Sequence, residues 1–294
     1  MSTAPRIASE SPMTAALERA QTYVLGKQSP RGGFCFYRGY YVEEPNLADT
    51  WHSLAALTLL GISPSEPDTH AAFVLGQPIE PQPFALYYRV RALHALDVDD
   101  PMEIEVKLAV SALQIYRFDP SHVSFTTNLQ RLRCVLWLKK HFHLLIDAEE
   151  TIGTLLASED ASGGFGSPPN VLDTETAIGV LQLSSRAIPA GAGEFLQRMA
   201  APGFGFRLTA GSLSPNLETT CAGVIGCSRT NKSVLHAKDA TAFILSCQTG
   251  NGGFSRTAGA LPDLALTHMA LTTLIVHLGD LPHYQSLKEL DCHA

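Results

Sequence analysis

The sequence predicts an all-α protein: a closed ring of six helical hairpins forming one domain. Three observations carry this expectation. A glycine-rich turn ending in phenylalanine recurs at Gly33-Phe34, Gly164-Phe165, Gly205-Phe206 and Gly253-Phe254. Each turn stands between two apolar stretches of helix length. Hydrophobic residues are 45% of the 294-residue chain and charged residues 17%, which suits a mostly buried helical core and excludes disorder. The last three turn aromatics recur at roughly 44 residues, and the gap from Phe34 to Phe165 is about three such intervals, the period of a two-helix repeat. Two degenerate units are therefore expected inside that gap.

The last unit is the clearest. An outer helix ends at Cys247-Gln248, the turn 249–254 follows, and a loop reaches Pro262-Asp263. A second apolar helix then spans 264–278. Glycine suits the turn because it reaches positive φ without steric cost, and Phe254 can plug the gap between the helices. From the start of the chain, 1–11 reads as a disordered tail and 12–294 as the domain. Ser11-Pro12 starts the first outer helix, 13–28. The turn 29–45 is rich in aromatics (Phe34, Phe36, Tyr37, Tyr40, Tyr41) and is placed to cover a cavity mouth. Asp49-Thr50 opens the first inner helix and Gly61 ends it as a C′ glycine. Segments 68–77 and 82–96 form the second pair, joined by Pro78, Pro81 and Pro83, and 101–116 and 124–145 the third. The fourth, fifth and sixth inner helices open near Asp173, Glu218 and Asp263.

The unit Cys247-Gln248, Gly252-Gly253-Phe254, Pro262-Asp263, Thr267-His268, Ala270-Leu271 resembles the repeat of the protein prenyltransferase β subunits, relatives of the squalene and class II terpene cyclases. The resemblance is strong in repeats 1, 4, 5 and 6. It implies an α/α toroid and an isoprenoid-handling enzyme, prenyltransferase or terpene cyclase-like, holding a prenyl diphosphate or terpenoid in the central cavity. A small-molecule isoprenoid is the implied ligand, with a helical partner subunit as a compatible partner and Mg²⁺ accompanying a diphosphate. Two other readings stay open. One is a non-catalytic toroid that binds a lipid or partner protein. The other is a barrel lyase or hydrolase acting on carbohydrate through paired carboxylates, which only two tryptophans, Trp51 and Trp137, support poorly.

In such a toroid the inner helices run parallel and their N-termini meet at one mouth, where free N–H groups and helix dipoles suit an anion. Asp49, Asp173 and Glu218 are candidate catalytic carboxylates, aligned here as equivalent positions, and they read equally as helix-terminal caps. His52 and His268 join them, because ring closure sets repeat 6 beside repeat 1. The candidate substrate-binding residues are Tyr87, Tyr88, Arg91, Arg131, Glu175 and Cys221. Two arginines among Arg89, Arg91, Arg131 and Arg133 could clamp a diphosphate or form interhelical salt bridges instead. Further down, Leu54, Leu57, Ile178, Leu181, Val224 and Leu271 either wall an apolar funnel or pack the ring shut.

The zinc positions of the prenyltransferases fall on Glu218, Thr220 and Leu266, so their Cys and His are missing and zinc is not expected; Cys221, His268 and His52 form the alternative set. Asp97-Val-Asp-Asp100 matches the D-x-D-D acid motif of class II cyclases. It follows an inner helix and precedes Pro101, so it reads as an N-cap with Pro101 at N1 of the next outer helix. None of the six cysteines (Cys35, Cys134, Cys221, Cys227, Cys247, Cys292) forms a C-x-x-C pair. The net charge of −7 with no basic run excludes a nucleic-acid partner. No apolar run is long enough for a transmembrane helix and no signal peptide is visible, so a reducing cytoplasm is the expected location.

Overall fold

The computed structural model describes residues 11–37, 43–115 and 124–279. Ser11 caps the first helix, while residues 1–10 of the expected tail 1–11, with Tyr40, Tyr41, Tyr116 and Cys292, lie outside the described residues. Twelve α-helices form among them: α1 Pro12–Leu25, α2 Leu47–Leu59, α3 Pro67–Leu75, α4 Pro83–Ala95, α5 Glu103–Ala112, α6 Phe125–His141, α7 Glu149–Ala157, α8 Val171–Leu183, α9 Ala190–Met199, α10 Leu217–Arg229, α11 Ala237–Ser246 and α12 Leu264–Thr272. A π turn, Thr273–His277, continues α12. Sheet is confined to two antiparallel pairs of two-residue strands, β1 Ala200–Ala201 with β2 Gly205–Phe206 and β3 Phe254–Ser255 with β4 Pro262–Asp263. The even-numbered helices form the inner ring. Each packs on the next, and α12 packs on α2, so the ring closes. The fold is the all-α α/α toroid expected from the repeats.

A short set of contacts recurs in every strong repeat. The turn phenylalanines Phe34, Phe165, Phe206 and Phe254 are all fully buried. Their backbone N–H groups donate to the hydroxyls of Thr50, Thr174, Thr220 and Thr267 on the inner helix. Each inner helix of these repeats starts on an Asn or Asp, namely Asn46, Asn170, Asn216 and Asp263, whose side chain accepts from the N–H three residues on. This corrects two expectations. Asp49-Thr50 does not open α2; Asn46 caps it, and Asp49 sits inside the first turn. Glu218 is not equivalent to Asp49 and Asp173, because it stands two residues after its cap whereas they stand three. One residue of offset turns a helical side chain by about 100°.

The paired glycines have a packing cause beyond positive φ. A Cβ on Gly164 would lie 2.7 Å from the Phe195 ring of α9, and one on Gly253 would lie 2.6 Å from the Tyr23 ring of α1. Each turn thus presses on the following outer helix, and the turn of repeat 6 presses on α1. Arg19 and Ala16 of α1 also hydrogen-bond Gln248, whose Nε2 donates to the Ala16 carbonyl at 2.8 Å. Ring closure is therefore written on the outside as well as the inside.

The Asp97–Asp100 segment is structural in a way the sequence did not specify. Helix α5 starts at Glu103, with Met102 as its cap, so Pro101 is not at N1. Asp100 instead faces Arg89, a residue only 1% exposed. Arg89 Nε donates to Asp100 Oδ2 at 2.7 Å and Nη2 to Oδ1 at 3.1 Å. Its Nη1 donates to the carbonyls of Val74, Leu75 and Gln77 at the C-terminus of α3. Arg89 is thus removed from the set of possible diphosphate clamps. Among the described residues, no helix is long and apolar enough to cross a membrane.

Candidate functional site

The inner helices bring one residue each to a common level. It lies five positions after the cap in α2, α4, α8, α10 and α12: Trp51, Tyr87, Glu175, Cys221 and His268. In α6, which is longer at its N-terminus, the level falls on Arg133, at the same distance from the helix C-cap as its counterparts in α2, α4, α8 and α10. The residues following these in the first three repeats, His52, Tyr88 and Cys134, belong to the same belt, as do Arg91 and Trp137 one turn further along.

Side-chain contacts run around the belt from helix to helix. His268 and His52 meet with Nδ1 atoms 3.1 Å apart, so in the neutral pair one ring donates and the other accepts. Trp51 stands edge-on to His268, with centroids 5.7 Å apart, and Tyr88 packs on His52 at the same separation. Arg91 lies over Trp51 at 4.3 Å, Trp137 at 5.1 Å and Tyr87 at 5.7 Å, a guanidinium held by the faces of three rings. Further round, Glu175 receives Arg229 Nη1 at 2.5 Å on one carboxylate oxygen and Arg133 Nη1 at 3.3 Å on the other. Gly179, one turn below Glu175, makes room for them: an added Cβ would sit 3.0 Å from Arg229 Nη1.

Burial sets the protonation of the belt. Desolvation, with Arg91 adding to it, pushes His52 down to about 4, so it is neutral at pH 7. Desolvation raises Tyr88 and Cys134 to about 12 and raises Tyr87 as well. Yet His52, Tyr87, Tyr88 and Cys134 all keep accessible surface. Desolvated by the surrounding protein yet not fully buried, these side chains face the interior of the ring.

The remaining expected site residues are placed differently. Asp49 and Asp173 serve the caps of their own helices. The Asp49 carboxylate accepts from the Asn46 side chain at 2.7 Å and from the Phe36 N–H at 2.8 Å. The carboxylate of Asp173, itself 3% exposed, accepts from the Asn170 side chain at 2.6 Å. Glu218 bridges to Arg256 at 3.1 Å near the surface. Arg131 is half-buried on α6, two residues before Arg133 of the belt. Cys221 is fully buried and its thiol, raised to about 12 by burial, hydrogen-bonds Thr273 rather than joining the histidines. Among the described residues no three His, Cys, Asp or Glu side chains are grouped to hold a metal ion. The structure therefore brings together His52, His268, Tyr87, Tyr88, Arg91 and Glu175, with Arg133 from the four possible clamps, and adds Trp51, Trp137, Cys134 and Arg229. A separate concavity of about 610 Å³ lies outside the ring between α3 and α5, lined by Leu75, Ile79, Met102 and Leu108 among others.

The family model of the prenyltransferase alpha-alpha toroid domain matches residues 13–171 and 81–291. Among solved structures, the chain is similar to a Candida albicans protein geranylgeranyltransferase-I complexed with GGPP, at 15% identity and a TM-score of 0.56, covering 78% of this chain and 83% of that one. It is also similar to a protein from Actinoplanes, at 11% identity and a TM-score of 0.57, covering 90% of this chain and 98% of that one. At these identities the likeness is one of fold. No curated protein sequence matches.

Proposed function

The chain belongs to the prenyltransferase alpha-alpha toroid domain family, and on that premise we propose that it is an isoprenoid-handling enzyme, of prenyltransferase or terpene cyclase-like type, that takes a prenyl diphosphate or terpenoid into the ring. The observation that carries this reading is the belt of Trp51, Tyr87, Tyr88 and Trp137 around Arg91. Aromatic faces present negative charge, so they pack well on an isoprene chain and stabilise an allylic cation formed beside them. Arg91, Arg133 and Arg229 supply positive charge for a diphosphate. The His52–His268 pair, with His52 neutral at pH 7, is positioned to accept a proton. Mg²⁺, when bound with a diphosphate, would neutralise the leaving group. The similar Candida enzyme was solved with GGPP, which is consistent with this reading and makes that compound the first ligand to try.

The chain's two tryptophans both belong to the belt, so its intrinsic tryptophan fluorescence reports on that space. Titration with geranyl, farnesyl and geranylgeranyl diphosphate should give a saturable change with at least one of them. Arg91→Leu should weaken that binding by about tenfold or more. No response to any of the three would remove the isoprenoid reading. Binding without product, at any Mg²⁺ level and with any thiol or water acceptor, would favour the non-catalytic toroid.

A further inference from the structure

The loops leading into α10 and α12 are a repeated device. Thr209-Ala-Gly-Ser-Leu213 and Thr257-Ala-Gly-Ala-Leu261 share the pattern Thr-Ala-Gly-x-Leu. Both close an i→i+3 turn, with the Ser212 N–H donating to the Thr209 carbonyl and the Ala260 N–H to the Thr257 carbonyl, each at 3.1 Å, although Gly259 takes a positive φ and Gly211 does not. Both then hold a leucine out in water, Leu213 at 90% exposure and Leu261 at 83%. A lone exposed leucine needs no explanation. The same five-residue pattern kept twice, with the leucine outside both times, does need one.

These loops share one face. The Leu208 carbonyl accepts from the first N–H of α8, and the Arg256 carbonyl from the first N–H of α10. The loops therefore lie over the N-termini of the inner helices. Repeat 1 comes next round the ring, and its turn adds Phe36 and Tyr37, at 42% and 65% exposure. Three neighbouring repeats thus line one side of the same mouth with apolar tips.

We propose that this rim seats the ring on a lipid bilayer, with Leu213, Leu261, Phe36 and Tyr37 dipping into the headgroup–acyl boundary. The tips project from separate Thr-, Ser- and Gly-containing loops, and single apolar side chains spread over three repeats suit a fluid apolar layer. An aromatic pair beside leucines is the composition that settles at a bilayer interface. The whole-chain charge of −7 means that apolar burial, not attraction to anionic lipid, drives the association. The inference stands apart from the isoprenoid reading, since it rests on the loops alone.

The test is co-sedimentation of the full chain with phosphatidylcholine vesicles, alone and with a quarter phosphatidylserine. Wild type should pellet with the neutral vesicles at least as well as with the anionic ones. The double variant Leu213→Ser, Leu261→Ser should lose about tenfold or more in apparent affinity, since burying one leucine fully is worth roughly ten- to a hundredfold. Leu145→Ser is the control. Leu145 is 88% exposed but lies after the C-terminus of α6, at the opposite end of the ring, so its loss should change nothing. Fluorescence titration of the double variant with farnesyl diphosphate should match wild type, which separates failure at the rim from failure inside the ring. Absence of pelleting, pelleting only with anionic vesicles, or equal loss in the Leu145 variant would overturn the proposal. A rim that instead captured a soluble protein would give the first of these results.

Discussion

Replacing Asp100 by Asn separates a structural from a chemical role for the D-x-D-D segment. Asp100 makes two hydrogen bonds to a guanidinium whose side chain is 2% exposed, and its own side chain is 12% exposed. The substitution keeps the shape but leaves Arg89 as a buried cation without its counter-charge. Breaking one member of a buried pair costs about 3–5 kcal/mol; Asn retains one acceptor oxygen, so the lower end, about 3 kcal/mol, applies here. For a domain of this size that corresponds to a fall in melting temperature of roughly 6–12 °C. Asp99, exposed and without a comparable partner, serves as the comparison, and Asp99→Asn should stay within about 0.5 kcal/mol of wild type. Thermal unfolding followed by circular dichroism measures both, with ligand binding assayed below the transition. A full-stability Asp100→Asn protein that has lost its activity would refute the argument and restore the acid-motif reading.

Three further outcomes are expected. Gly253→Ala places a Cβ 2.6 Å from the Tyr23 ring and should cost about 1–3 kcal/mol by overpacking the ring closure, read as a shift in the urea midpoint; no shift would mean the turn does not hold α1. The folded-state pKa of His52, about 4, lies below its unfolded value near 6.5, so the unfolded chain binds more protons in that window. Stability should therefore fall by up to about 3 kcal/mol as pH drops from 6.5 to 4, and His52→Gln should remove most of that slope in urea melts at each pH; an unchanged slope would show that His52 is not buried neutral. Cys221, buried and with its thiol raised to about 12, should resist maleimide at pH 7.5 in the native protein and react only on unfolding, as peptide mapping would report; rapid native labelling would place it at an open surface.

The architecture was legible because the repeat is written in residues with few alternatives. A glycine pressed onto the next outer helix and a phenylalanine sealed between helices cannot be exchanged freely, so they recur in the sequence. The asparagine caps recur as visibly, at Asn46, Asn170 and Asn216, but the nearby carboxylates Asp49, Asp173 and Glu218 drew attention instead, and a one-residue slip then made Glu218 look equivalent. The belt was only partly legible. Tyr87, Tyr88, Arg91, His52 and His268 stood out as polar residues on apolar helices. Trp51 and Trp137 entered only as weak support for a carbohydrate site, and nothing local set Cys134 or Arg229 apart. Counting five positions from each cap would have aligned Trp51, Tyr87, Glu175, Cys221 and His268 in advance. That count would still have skipped Arg133, weighed only as one of four possible clamps, because α6 begins earlier than its counterparts. The Arg89–Asp100 pair could not be read at all, since it joins the inner face of one hairpin to the loop before the next, and nothing local distinguishes Arg89 from Arg91.

The most direct test of an isoprenoid held inside the ring is difference electron density from crystals grown with a non-hydrolysable thiodiphosphate analogue of geranylgeranyl diphosphate. The account predicts an extended chain packed on Trp51, Tyr88 and Trp137, its first carbons near the His52–His268 pair and its diphosphate beside an arginine of the belt. Density confined to the outer concavity between α3 and α5, with the interior unchanged, would contradict it.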